Sequence, residues 1–95
     1  MLVRDIALVH NRPTYKISEL INRNRKRFKD GIDILDLKSV ILPKDKEKYG
    51  FNQNAWNRSN HIYLLSERGY AKLLKIMDDD KAWDIYDKLV DNYFN

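Results

Sequence analysis

Leu8-Val9-His10-Asn11-Arg12-Pro13-Thr14-Tyr15-Lys16, residues 8–16, is the stretch where one helix has to stop and another has to start. Before it, Leu2, Val3, Ile6, Ala7 and Val9 recur at the spacing of a short helix with one buried stripe. Asn11, Arg12 and Pro13 then break that pattern. Proline cannot donate to the preceding turn but fits the first turn of a new helix, so a second helix is expected from about Pro13. Two helices joined by a tight turn, a helix-turn-helix, follow from this punctuation.

Continued to Lys29, the second helix places Ile17, Leu20, Ile21 and Phe28 on one side, with Asn24 among them. Tyr15, Lys16, Glu19, Asn22, Arg23 and Lys26 fall on the opposite side, while Arg25 and Arg27 flank the apolar stripe and reach round on long stems. Residues 12–29 carry seven Lys/Arg against Glu19 alone, whereas residues 78–95 carry six Asp against Lys81 and Lys88. The net charge of +4 therefore hides a basic end and an acidic end. A local surplus of cations attracts polyanions whatever the global charge, because screening cuts the field off within ~8 Å.

Beyond Lys29, Asp30-Gly31 is a turn signal, and Ile32-Asp33-Ile34-Leu35-Asp36-Leu37 reads as a strand. His61-Ile62-Tyr63-Leu64-Leu65 reads as a second. Between them, Pro43, Gly50 and many Asn, Lys and Gln make a mostly polar excursion, with a turn of helix expected near Asp45–Tyr49 or Asn54–Asn57. Two strands around a polar excursion, directly after two helices, have the order of a β wing. Ser66 is a good N-cap for a third helix running from Glu67 to about Met77. Asp78-Asp79-Asp80 caps a fourth, whose core stripe is expected at Ala82, Trp83, Tyr86, Leu89, Val90, Tyr93 and Phe94.

The fold class read from this order is α+β, a winged helix-turn-helix-like domain of about four helices with a two-stranded β wing. One domain over residues 1–95 is expected: helix-turn-helix at 1–29, strands and wing at 30–65, two helices at 66–95. With 95 residues, 43% apolar and 34% charged, the chain suffices for one core and no second. The start from Met1 to His10 contains Arg4 and Asp5 and no long apolar run, so neither a signal peptide nor a membrane span is read, and a cytoplasmic protein is expected.

Catalysis needs convergent acids, bases, nucleophiles or metal ligands, and this chain has two histidines, His10 and His61, and no cysteine. His10, at a helix end, is expected to bond the last carbonyls, and His61 to be ordinary surface. Capping is the simpler account of the aspartate run, since the glycine and spaced ligands of a calcium loop are missing. Gly31, Gly50 and Gly69 are isolated and form no phosphate-cradling loop. No enzyme, metal or cofactor is expected.

The basic helix has the residue types of a DNA reader, because Arg and Lys pair with phosphates and Asn and Arg make bidentate contacts to adenine or guanine edges. Base reading is assigned to Thr14, Tyr15, Lys16, Glu19, Asn22 and Arg23, with Arg12 and Lys26 gripping phosphates and Arg25 counted among the DNA-binding residues. Lys44, Lys46, Lys48 and Arg58 sit in the excursion, where a wing tip would touch a neighbouring phosphate. Double-stranded DNA is the partner expected first. The alternative is a protein-interaction module that captures a repressor or host factor through the basic helix or the aromatic end, and a homodimer is a further partner weighed.

Three segments resemble a known family: Asp5-Ile6-Ala7-Leu8-Val9-His10, Asn22-Arg23-Asn24-Arg25-Lys26-Arg27-Phe28, and Ile62-Tyr63-Leu64-Leu65-Ser66-Glu67-Arg68-Gly69-Tyr70. Asp78-Asp79-Asp80-Lys81-Ala82-Trp83 and Tyr86-Asp87-Lys88-Leu89-Val90-Asp91 extend the likeness. Together they are similar to the amino-terminal domain of phage antirepressor-type regulators, the open-reading-frame-six N-terminal domain, a relative of KilA-N and Bro-N. The resemblance implies a DNA-binding or antirepressor role in phage or prophage transcription regulation, within a bacterial host cell. It carries function only onto the basic helix; the Ala-Trp and Tyr-Leu-Leu positions read as packing.

Overall fold

The computed structural model describes residues 1–94, with backbone only at 93 and 94; expectations for the Tyr93 and Phe94 side chains lie outside the described residues. Helix α1 spans Val3–Val9 and α2 spans Thr14–Arg23. Strand β1 (Ile34–Asp36) runs straight into α3 (Leu37–Val40), and α4 (Gln53–Arg58) precedes β2 (Tyr63–Leu65). Helices α5 (Glu67–Met77) and α6 (Asp80–Phe94) complete a mostly helical α+β fold.

The break between α1 and α2 falls where the sequence placed it. Asn11 takes the left-handed conformation (φ 52°), which asparagine tolerates better than most residues, and the Arg12 amide returns to the Ala7 carbonyl at 3.0 Å. Ile6, Ile17 and Ile21 are fully buried beside Leu73 and Leu74 of α5, so the expected stripes of α1, α2 and α5 meet in one core.

Helix α2 is shorter than expected. The Asn24 side-chain amide bonds the Leu20 carbonyl at 2.9 Å and its N–H bonds Ile21, a local alternative that competes with further helix. Arg25–Arg27 then forms a 3-10 turn that carries Phe28 into the core. Arg25 and Lys26 are consequently off the basic helix to which the sequence assigned them.

The strands pair antiparallel, Ile34 with Leu65 and Asp36 with Tyr63, and both are shorter than the sequence implied. Asp36 is the reason: one carboxylate oxygen accepts from the Lys38 amide (3.1 Å) as N-cap of α3 and from the Ile62 amide (3.0 Å) across the ladder. The excursion holds more helix than the single turn expected of it. Both expected turns are present, as a 3-10 segment over Pro43–Tyr49 and as α4, capped by the Asn52 side chain on the Ala55 amide at 2.8 Å. Leu37, Trp56 and Ile62 form a small core of their own, against which Leu2, Ile41, Phe51 and Leu64 pack.

Helix α5 begins and ends as read, with the Ser66 hydroxyl accepting from the Gly69 amide at 3.1 Å. Asp79 caps α6 by accepting from the Ala82 amide at 2.8 Å, which bears out the capping role of the aspartate run. The stripe of α6 keeps Ala82 and Leu89 from the expected set and uses Ile85 in place of Trp83 and Tyr86. Ala82, Ile85 and Leu89 pack on the core, while Trp83 is 55% and Tyr86 37% exposed.

Asp33 ties these parts together. Its side chain is fully buried, where one carboxylate oxygen accepts from the Lys29 amide (2.8 Å) and from Lys72 Nζ (2.5 Å). Arg68 Nε lies 3.1 Å from the other oxygen, in ion-pair range but out of hydrogen-bond alignment. Burial raises the Asp33 pKa, but the amide and the two cations outweigh it and hold the carboxyl below its ordinary value. The Asp33 carbonyl accepts from Ser66, and a Cβ on Gly69 would stand 2.1 Å from that oxygen. The Ser-Glu-Arg-Gly sequence is thus a docking surface for one buried aspartate.

Candidate nucleic-acid interface

Helix α2 buries Ile17 and Ile21 and turns the positions between them outward, so Thr14, Tyr15, Ser18, Glu19, Asn22 and Arg23 share one face by helical spacing. That face forms one wall of an open groove of about 1000 Å³. The opposite wall comes from Phe51, from Ala55 and Arg58 of α4, and from Ser59 to His61 and Tyr63. Of the residues chosen from sequence, the groove brings together Thr14, Tyr15, Glu19, Asn22, Arg23 and Arg58.

The remaining candidates stand apart. Lys16 lies outside the lining, with its ammonium 5.7 Å from the Tyr15 ring centroid. Lys26 is exposed on the 3-10 turn. Lys44, Lys46 and Lys48 belong to the Pro43–Tyr49 segment, where Lys46 bonds the Pro43 carbonyl (3.3 Å) and Lys48 pairs with Asp45 (3.3 Å). Three further candidate cations have acidic partners: Arg12 pairs with Asp79, Arg25 with Asp30, and Arg23 with Glu19 one turn back. Arg12 therefore joins the α1–α2 turn to the start of α6. Its charge toward an incoming polyanion is partly spent.

Sequence reasoning missed three groups of the groove. Arg4, passed over as a break in an apolar run, donates to the Gly50 (2.9 Å) and Tyr49 (2.8 Å) carbonyls and covers Phe51 at 4.4 Å. It holds the excursion against α1, and a Cβ at Gly50, itself left-handed (φ 81°), would press on its guanidinium at 2.4 Å. His61, read as ordinary surface, contacts Asp36 Oδ2 through Nδ1 at 2.7 Å and stacks on Tyr63 at 5.3 Å between centroids. An ionised carboxylate only accepts, so Nδ1 carries the proton. Burial raises Asp36, but His61 and the Ile62 and Lys38 amides prevail and hold it below its ordinary value. Tyr63, read as packing, sends its hydroxyl to Asn22 Oδ1 at 2.5 Å.

His10 departs from its expectation in detail. Its Nε2 meets the Tyr70 hydroxyl at 2.7 Å, not a helix-end carbonyl, and the ring is buried. Burial lowers its pKa; Asp79 opposes this, while Arg12 and Lys81 add to it. His10 does not line the groove, and its bond ties the end of α1 to α5.

The model of the ORF6N domain matches residues 1–76, four-fifths of the chain. The chain belongs to the ORF6N domain family. Within this ORF6N domain the match covers both walls of the groove and the Asp33 corner, and it ends before α6. No curated protein and no solved structure matches the chain. The family is consistent with a phage-associated regulatory role. Among the described residues, no helix is long and apolar enough to cross a membrane.

Proposed function

We propose that this ORF6N domain acts as a single duplex-DNA-binding unit in phage or prophage gene control, with α2 lying in the major groove. The observation that carries the reading is the convergence of Thr14, Tyr15, Glu19, Asn22 and Arg23 on one exposed helix face, opposite Arg58. A B-DNA major groove admits one helix, and helix-turn-helix proteins meet bases with the amino-terminal part of the second helix. Asn22, Arg23 and Glu19 have the donors and acceptors for base edges, while Arg58 and the Ser59–Asn60 backbone face the phosphates that flank α2. The strand pair and its helical excursion do the work of a wing by supplying that second wall. No chemical step is assigned to the site; the domain is proposed as a binder, not an enzyme, and needs no cofactor.

In this reading Arg58 neutralises one phosphate and Arg23 reads a base edge. The Arg23→Ala/Arg58→Ala double variant is expected to bind duplex DNA at least about tenfold more weakly, with a salt slope shallower by about 1, from ~0.9 counterions released at the one phosphate. Circular dichroism should be unchanged. Equal affinity and slope in the double variant contradict the reading.

One observation favours a second reading, capture of a repressor or host protein: Trp83 and Tyr86 stand exposed on α6 in an edge-to-face pair, 5.8 Å between centroids. A stoichiometric protein partner lost on Trp83→Ala, with no duplex retained at low salt, selects that reading over the first.

A further inference from the structure

Asn22 stands on the exposed face of α2, and its amide has two chemically opposite ends. An unrestrained asparagine offers both, accepting from the adenine amino group through Oδ1 while donating to adenine N7 through Nδ2. Here the oxygen end is turned toward the fold. The Tyr63 hydroxyl, on a ring that is 4% exposed and anchored in the core, meets Oδ1 from beneath the helix.

The neighbours of the phenol decide which end of the amide faces it. The Arg25 guanidinium lies over the Tyr63 ring, 5.8 Å from its centroid, and is itself held by Asp30 and by the Phe28 carbonyl at 3.2 Å. A cation there favours turning the phenol's lone pairs toward it and its proton away. Burial raises the Tyr63 pKa against the pull of Arg25, so the hydroxyl keeps its proton. That proton points at Asn22, and only the carbonyl end of the amide can receive it. Nδ2, with two protons, is then the end that reaches the groove.

We propose that Tyr63 holds Asn22 with its amino group outward, and that α2 therefore selects guanine over adenine at the base pair Asn22 meets. Guanine presents two adjacent acceptors, N7 and O6, to a group that can only donate. Adenine presents N7 beside its own amino group, which would face the Asn22 amino group with no acceptor between them. The inference rests on the duplex-DNA reading above and gives it a base preference. Tyr63 is a positioning residue in it and acts through Asn22.

The test uses the full chain and a duplex library randomised over 12 base pairs, selected in parallel with the wild type, Asn22→Ala and Tyr63→Phe. One position is expected to prefer guanine in the wild type and to lose that preference in Asn22→Ala. In Tyr63→Phe, which keeps the ring in the core, the guanine-to-adenine ratio at that position should fall about tenfold. An unchanged ratio in Tyr63→Phe, adenine preferred by the wild type, or no position responding to Asn22→Ala overturns the inference while leaving DNA binding intact. Failure of the wild type to retain any duplex removes the underlying reading, and the base preference with it. A measurement without DNA separates the two: in the free protein, the Asn22 amino protons should show no NOE to the Tyr63 ring, and strong NOEs there overturn the inference by themselves.

Discussion

The corner around Asp33 and the excursion from Leu37 to Ile62 hang on the same pair of strands, yet different forces hold them. At the corner, a fully buried carboxylate gathers Lys29, Lys72 and Arg68, and its own carbonyl receives Ser66. The contacts to Ser66, Arg68 and Lys72 span more than thirty residues of sequence, and they form only when α5 has docked on the strand pair. In the excursion, most bonds are local caps, and Lys38 Nζ bridges to the Trp56 and Ser59 carbonyls at 2.9 Å over a core of Leu37, Trp56 and Ile62. Local contacts and a small apolar core let such a segment open while the remainder stays folded. One groove wall, α2, is therefore built on the main core, and the other on the segment with mostly local contacts and a small core of its own.

Gly69 should separate the two regions most sharply. Alanine is ordinarily better than glycine inside a helix by about 1 kcal/mol, but here its Cβ would meet the Asp33 backbone oxygen at 2.1 Å. Gly69→Ala is expected to cost at least about 3 kcal/mol, lowering Tm by roughly 12–20 °C. A neutral or stabilised variant would show that α5 does not dock on Asp33 this closely.

A smaller global effect is expected from Trp56→Ala, because the excursion can open alone. Amide exchange should lose protection across residues 37–62 while residues 67–77 keep theirs, and the global stability should fall by only about 1 kcal/mol. Equal loss in both regions would mean that the excursion is part of the same cooperative unit.

The smallest effect concerns pH and separates the α1–α5 core from the aspartate contacts. His10 is neutral in the fold because burial lowers its pKa below the ordinary 6.5. The unfolded chain takes up that proton first, so stability is full above 6.5 and declines as pH falls below it. Asp33, Asp36 and Asp79 are all held below the ordinary 3.8, so their contributions persist above 3.8 and are lost as pH falls further through their folded pKa values. Urea midpoints measured between pH 7.5 and 5 should fall in the wild type and stay level in His10→Gln; parallel decline in both would remove His10 from the account.

Much of this was legible before any coordinates. Pro13 after a run that includes His10 and Asn11 marks the helix boundary, Ser66 marks the start of α5, and the spacing of Ile17 and Ile21 identifies the face opposite the groove. Other features depend on partners distant in sequence. Asp33 and Asp36 looked like the polar half of an alternating strand, but one is a buried hub and the other ends the strand by capping α3. Asn24 stops α2 through a bond to Leu20 that a wheel projection does not register. Trp83 was placed in the core because aromatic residues are usually there, but the ridge that meets α5 runs through Ala82, Ile85 and Leu89. Arg4, His61 and Tyr63 entered the groove through contacts 25 to 46 positions away, to which no local pattern points.

The central claim is that the outward face of α2, with the wall opposite it, receives duplex DNA. Titration of isotope-labelled protein with a mixed-sequence duplex at low salt tests it directly, read as backbone and side-chain shift changes. The account predicts changes concentrated at Thr14–Arg23 and at Arg58–Tyr63, reversed by added salt, with α6 unmoved. Shifts confined to α6 or to Lys44–Lys48, or none at a tenfold excess of duplex, would contradict it.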